Sequence, residues 1–142
     1  MIPIPGETFQ TWGENTGSAA ARAAYHADLG LSASDAGDDG VIYYHDMPDE
    51  LRTAAMQRTW QEQSMTPLDR PWPLQAWPEV PTRVLSGKHD RMFPLEFQRR
   101  LARERLDLEV DEIDGGHMLA LDHAAELADR LDAYRRELRG TR

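Results

Sequence analysis

The chain has 142 residues, 40% of them hydrophobic and 29% charged, with a formal net charge of −9. That length suits one domain, and the acidic balance argues against a nucleic-acid footprint, which needs clustered cations. No cysteine is present, which excludes disulfides, thiolate nucleophiles and cysteine zinc sites. No apolar run is long enough to span a bilayer, so no membrane role is expected and the cytoplasm is the default location.

Residues 1–47 are rich in Gly, Pro, Ser and Asp. Pro3 and Pro5 in MIPIPGE forbid an interior strand or helix of any length. GSAAARAAYHADLGL predicts a helix from about Ser18, a good N-cap residue, with alanines that favour helix but bury little. ASDAGDDG is turn chemistry. A clearer helix starts near Pro48. Asp46 or Met47 precedes it, Asp49 and Glu50 sit in its first turn, and Leu51, Ala55, Met56 and Trp60 recur at helical spacing. In SMTPLDRPWPLQAWPEVP, residues 64–81, repeated prolines break any long element, and Trp72 and Trp77 are expected to pack a short helix between them.

The character changes at Pro81. TRVLSG reads as a short apolar strand stopped by Gly87. FPLEFQRRLARERL predicts a helix with Pro94 at its first position and an apolar stripe of Phe93, Phe97 and Leu101. Its stretch from Arg99 to Arg105 reads as a solvated face. LDLEVDEI alternates, with Leu106, Leu108 and Val110 on one face and acids on the other, which predicts a strand with one wet face near a sheet edge. AAELADRLDAYRREL predicts a helix with Ala124, Leu127, Ala128, Leu131 and Leu138 on one side. Strand, helix, strand, helix in that order predicts an α/β class, with a parallel pair and a right-handed crossover.

In open α/β sheets, ligands bind beyond the carboxyl ends of the strands. Asp90 lies there in SGKHDRMFP, and His117 lies there in IDGGHML. Parallel neighbouring strands put those two loops side by side. A carboxylate that accepts the Nδ1 proton of a histidine fixes its tautomer and stabilises the imidazolium formed when it acts as a base. Gly115 and Gly116 would let the backbone turn sharply and adopt positive φ. His45-Asp46 is a weaker candidate. Asp46 most simply begins the following helix, and the pair alone has too few ligands for a metal. His26, His89 and His123 have no partner legible in the sequence. The tryptophans read as packing, or as the lining of an apolar pocket.

From GKHDRMFPLEFQRRLARERL through IDGGHMLALDHAAELADRLDAY, the chain resembles the C-terminal part of the α/β-hydrolase family. It is most similar to the small-esterase branch that includes plant methylesterases and hydroxynitrile lyases. The likeness rests on an acid after a strand, then FP, EFQ, a GGH turn and ELADRL. MIPIPGET also resembles the segment leaving the family's sixth strand. The resemblance implies a partial α/β-hydrolase fold. Residues 1–75 would be a mostly helical cap, and 76–142 a βαβα portion of the core with a short parallel sheet. It implies Asp90 as triad acid and His117 as triad base, with no cofactor and no metal.

The family's nucleophile sits on a G-x-S-x-G elbow. No such motif occurs in this sequence: Ser18, Ser32, Ser34, Ser64 and Ser86 all lie in other contexts. The expectation is therefore a protein of ester-hydrolase ancestry that lacks the nucleophile half and is inactive by itself. In a complete enzyme the substrate would be a small apolar ester. An unpaired strand edge would favour self-association or a partner chain. The alternatives are a non-catalytic binding or interaction module, one chain of a split hydrolase, or the product of a gene fragment or misplaced start codon.

Overall fold

The computed structural model describes residues 1–58 and 61–140. Trp60, expected on the helix after Pro48, lies outside the described residues. The N-terminal part is helical. It comprises α1 (Phe9–Thr16), α2 (Ser18–Asp28), a 3-10 turn at Asp35–Gly37, α3 (Asp39–Ile42), α4 (Asp49–Met56) and α5 (Thr66–Asp69). A βαβα unit follows, with β1 (Val84–Gly87), α6 (Leu95–Leu106), β2 (Val110–Ile113), a short helix α7 (Leu119–Asp122) and α8 (Ala124–Gly140). The two strands pair in parallel, with Val84 opposite Val110 and Gly87 opposite Ile113. The expected α/β class and helical-then-βαβα order hold.

The helix α1 was not expected from the sequence. Its start is a capping box of two threonines: Thr11 N–H donates to Thr8 Oγ1 at 3.2 Å, and Thr8 N–H donates to Thr11 Oγ1 at 2.9 Å. Gly17, at φ 66°, ends it and also caps α2. Ser18 is thus the first residue of α2, not its N-cap, because the left-handed glycine takes that position.

The core lies between α1 and α6. Trp12, Phe97 and Leu101 are buried, with Ile2, Ala21 and Phe93 packed against them. Trp12 meets Phe93 and Phe97 edge-on, each at 6.0 Å between ring centroids. The expected stripe of α6 is therefore covered. Its basic face, however, is not simply solvated. Arg105 reaches the Glu7 carboxylate through two bonds of 2.6 and 2.9 Å, with both side chains nearly buried.

The second strand departs from expectation. Leu106 closes α6 and Asp107 turns the chain at φ 53°, so β2 starts only at Val110. The acids of β2 are partnered on both faces, although the Asp111 side chain stays 41% exposed. Glu112 pairs with Arg99 of α6, and Asp111 accepts a 2.6 Å bond from Tyr134 Oη of α8. Helix α6 lies against one face and Tyr134 of α8 reaches the other, so the two acids within the strand are partnered while Glu109 before it stays exposed. On α8, no residue is buried, and Leu131 and Leu138 stay exposed. No helix lies between Trp72 and Trp77; the two rings stack on each other at 6.2 Å, interplanar angle 14°. Among the described residues, no helix is long and apolar enough to cross a membrane.

Candidate functional site

The strand ladder continues into the two loops beyond it. Lys88 N–H donates to the Ile113 carbonyl at 2.9 Å, and His89 N–H to the Gly115 carbonyl at 3.0 Å. These bonds lash the segment after β1 to the segment after β2. Gly87 permits the contact, since a Cβ there would lie 2.0 Å from the Gly116 carbonyl oxygen. The adjacency expected of parallel strands is thus enforced by backbone bonds.

Asp90 is buried on this edge, and its Oδ1 accepts the backbone N–H groups of Met92 and Phe93 at 2.8 Å each. That turn fixes the carboxylate before any histidine arrives. Gln98, on the first turns of α6, braces it. Gln98 Nε2 donates to the Phe93 carbonyl at 2.7 Å and to Ser86 Oγ at 2.6 Å, with a longer 3.5 Å approach to Asp90 Oδ2.

His117 meets this carboxylate. Its Nδ1 lies 3.1 Å from Asp90 Oδ1 and 3.0 Å from Oδ2. An ionised carboxylate only accepts, so Nδ1 carries the proton and Nε2 keeps its lone pair when the ring is neutral. The rings of Tyr43 and Phe93 flank the imidazole at 5.3 and 5.9 Å. Burial raises the Tyr43 hydroxyl above its ordinary range. Chemically, the arrangement can accept a proton at Nε2 from a hydroxyl placed against it, while Asp90 balances the resulting charge.

Such a hydroxyl is not supplied by serine here. Among the described residues, none of the five serines hydrogen-bonds to His117. Ser86 is nearby but committed, donating to the Gly87 carbonyl at 3.1 Å and accepting from Gln98.

The glycines before His117 act differently from expectation. Neither Gly115 nor Gly116 has positive φ; among glycines only Gly6, Gly17 and Gly30 do. Their role is close approach. A Cβ on Gly115 would lie 2.7 Å from the His123 ring, and one on Gly116 would lie 2.5 Å from Asp46 Oδ1. Asp46 therefore does not cap the helix that follows; Pro48 occupies the N-cap position of α4, and the Asp46 carboxylate is turned toward the loop of His117.

The remaining histidines also have partners that the sequence concealed. His26, buried on α2, bonds through Nε2 to the Arg91 carbonyl at 2.8 Å and so supports the loop of Asp90. His45 Nε2 meets the His89 carbonyl at 3.0 Å, and burial lowers its pKa. His89 pairs with exposed Asp114 at 3.0 Å. His123 stands 3.0 Å from Asp122, whose carboxylate raises the imidazole's pKa. Apart from the adjacent His123 and Asp122, these contacts join residues far apart in sequence, and neither spacing nor composition signals them. Gln98 could have been suspected, because it follows Pro94 by one helical turn in EFQ.

Parallel strands joined through a helix, with an acid and a histidine on adjoining loops at their carboxyl ends, define an α/β protein with its candidate site in the place that class favours. The model of the Alpha/beta hydrolase family matches residues 3–130, and the chain belongs to that family. No curated protein and no solved structure matches it.

Proposed function

We propose that this chain supplies the acid and the general base of an ester hydrolase. Asp90 orients His117, and His117 Nε2 takes the proton of a nucleophilic hydroxyl that the five serines of this sequence do not provide. The observation that carries the reading is the buried Asp90 carboxylate, fixed by two backbone N–H groups and bonded to His117 Nδ1. Residues 1–75 act as a cap, with Tyr43 against the histidine. The substrate is a small apolar ester, in keeping with the small-esterase likeness and the aromatic rings around His117. The chain alone is inactive. Without a nucleophile nothing attacks the ester carbonyl, and without an oxyanion hole nothing stabilises the charge that develops on its oxygen.

The test is turnover of short-chain p-nitrophenyl esters, with a fluorophosphonate probe for an activated serine. The purified chain is expected to give no saturable turnover and no labelling. Adding a chain that carries a strand, a G-x-S-x-G elbow and a helix restores turnover that depends on His117 and Asp90. Saturable turnover by the purified chain, abolished by His117→Ala, contradicts the proposal.

A second reading, a ligand-binding module without chemistry, is favoured by one observation. A cavity of about 290 Å³ opens between α1, α6 and β1, lined by Ile2, Trp12, Trp77, Phe97 and Leu101 among others, and His117 is not part of its wall. Saturable binding of a small apolar ligand there, unaffected by His117→Ala, would favour this reading.

A further inference from the structure

Asp46, Asp122 and His123 converge behind the loop of His117, from the turn before α4, the end of α7 and the link to α8. Each offers one ligand atom, and these atoms all lie within 4.8 Å of one another. The Asp122 side chain is only 2% exposed. Both carboxylate oxygens of Asp122, both of Asp46 and Nδ1 of His123 are buried without a hydrogen bond. His123 Nδ1 stands 3.0 Å from Asp122 Oδ1, but its angle lies outside hydrogen-bonding geometry.

Buried carboxylates with no donor are costly, since each loses hydration without replacement. The surroundings do not repair this. His45 Nε2 is 3.9 Å from Asp46 but is engaged by the His89 carbonyl. A single imidazolium would leave one negative charge uncompensated, whereas a dication with a neutral imidazole balances both carboxylates. Gly115 and Gly116 let His123 and Asp46 pack closely against the loop of His117, since a Cβ on either glycine would strike one of them.

We propose that Asp46, Asp122 and His123 bind one divalent transition cation, Zn²⁺ by preference. An imidazole with two carboxylates suits zinc better than magnesium or calcium, which favour all-oxygen sites. Zinc bonds of about 2.0–2.2 Å make the cluster bridgeable by one ion after small side-chain rotations. The ion would tie the cap-side turn of Asp46 to the segment that follows His117. Its role is to hold that segment in place. The proposal does not rest on the acid–histidine reading.

The experiment is a calorimetric titration of the metal-free full chain with Zn²⁺, using Mg²⁺ for comparison, followed by thermal melting with and without zinc. One zinc per chain is expected, with a higher melting temperature in its presence. Asp46→Asn and Asp122→Asn should each weaken binding by at least about tenfold, the loss that even an outer-shell change brings. His89→Ala, which removes a surface pair with Asp114, should leave it unchanged. Binding that survives both asparagine variants, or is lost in His89→Ala, overturns the assignment. If the variants fail to fold, Co²⁺ substitution of the wild-type chain decides. A visible spectrum of nitrogen and oxygen ligation at one equivalent supports the site; no change on addition refutes it.

Discussion

Gln98 Nε2 donates to the Phe93 carbonyl at 2.7 Å, and so closes the turn whose N–H groups grip Asp90. The same amide donates to Ser86 Oγ at the end of β1. One side chain on α6 thus couples the strand, the acid's turn and the helix start.

Gln98→Leu should therefore destabilise the chain by about 1–2 kcal/mol, the cost of leaving partly buried acceptors unmet. Urea unfolding followed by circular dichroism measures it. The variant should also broaden the His117 ring resonances, as its carboxylate partner loses its brace.

The Glu7–Arg105 pair should dominate acid sensitivity. The Arg105 guanidinium holds the Glu7 carboxyl down at about 2, against an ordinary value of 4.5. A folded-state value below the unfolded one means that the pair's stabilisation is complete above about 4.5 and is lost as pH falls toward about 2. Glu7→Gln should cost roughly 3 kcal/mol near neutrality, because Arg105 is left buried and unpaired. Melting temperature against pH checks both points. Wild type should fall steeply over that acid range, and the variant should start lower with a shallower fall.

Three glycines grade the cost of lost close approach. Gly87→Ala should destabilise by about 3 kcal/mol or more, since the added Cβ meets the Gly116 carbonyl at 2.0 Å and both partners are backbone. Gly116→Ala should cost less, because the obstructing group is the Asp46 side chain, which can turn aside. Gly37→Ala, with open space around it, should be close to neutral. Chemical denaturation of the three variants gives the ranking.

The sequence exposed much of the C-terminal unit. Its two strands, the stripe of α6 and the pairing of Asp90 with His117 followed from apolar periodicity, a proline at a helix start and the geometry of parallel loops. What it concealed depended on long-range contact. The α1 helix rests on a threonine capping box and on Trp12 entering a core made by α6, in a stretch whose composition suggests turns. The acids of β2 looked solvent-facing until Arg99 and Tyr134 were brought over them. Asp46 resembled a helix cap because nothing local announces that Gly116 and His123 lie against it.

The proton on the His117 ring provides the sharpest test of the catalytic proposal. Long-range nitrogen–proton correlation spectra of histidine-labelled chain, recorded in alkaline buffer, distinguish the two neutral tautomers directly. The proton should reside on Nδ1, with Nε2 free to accept, and Asp90→Asn should abolish that preference. A ring protonated on Nε2, or a spectrum indifferent to Asp90→Asn, would contradict a base poised for a hydroxyl.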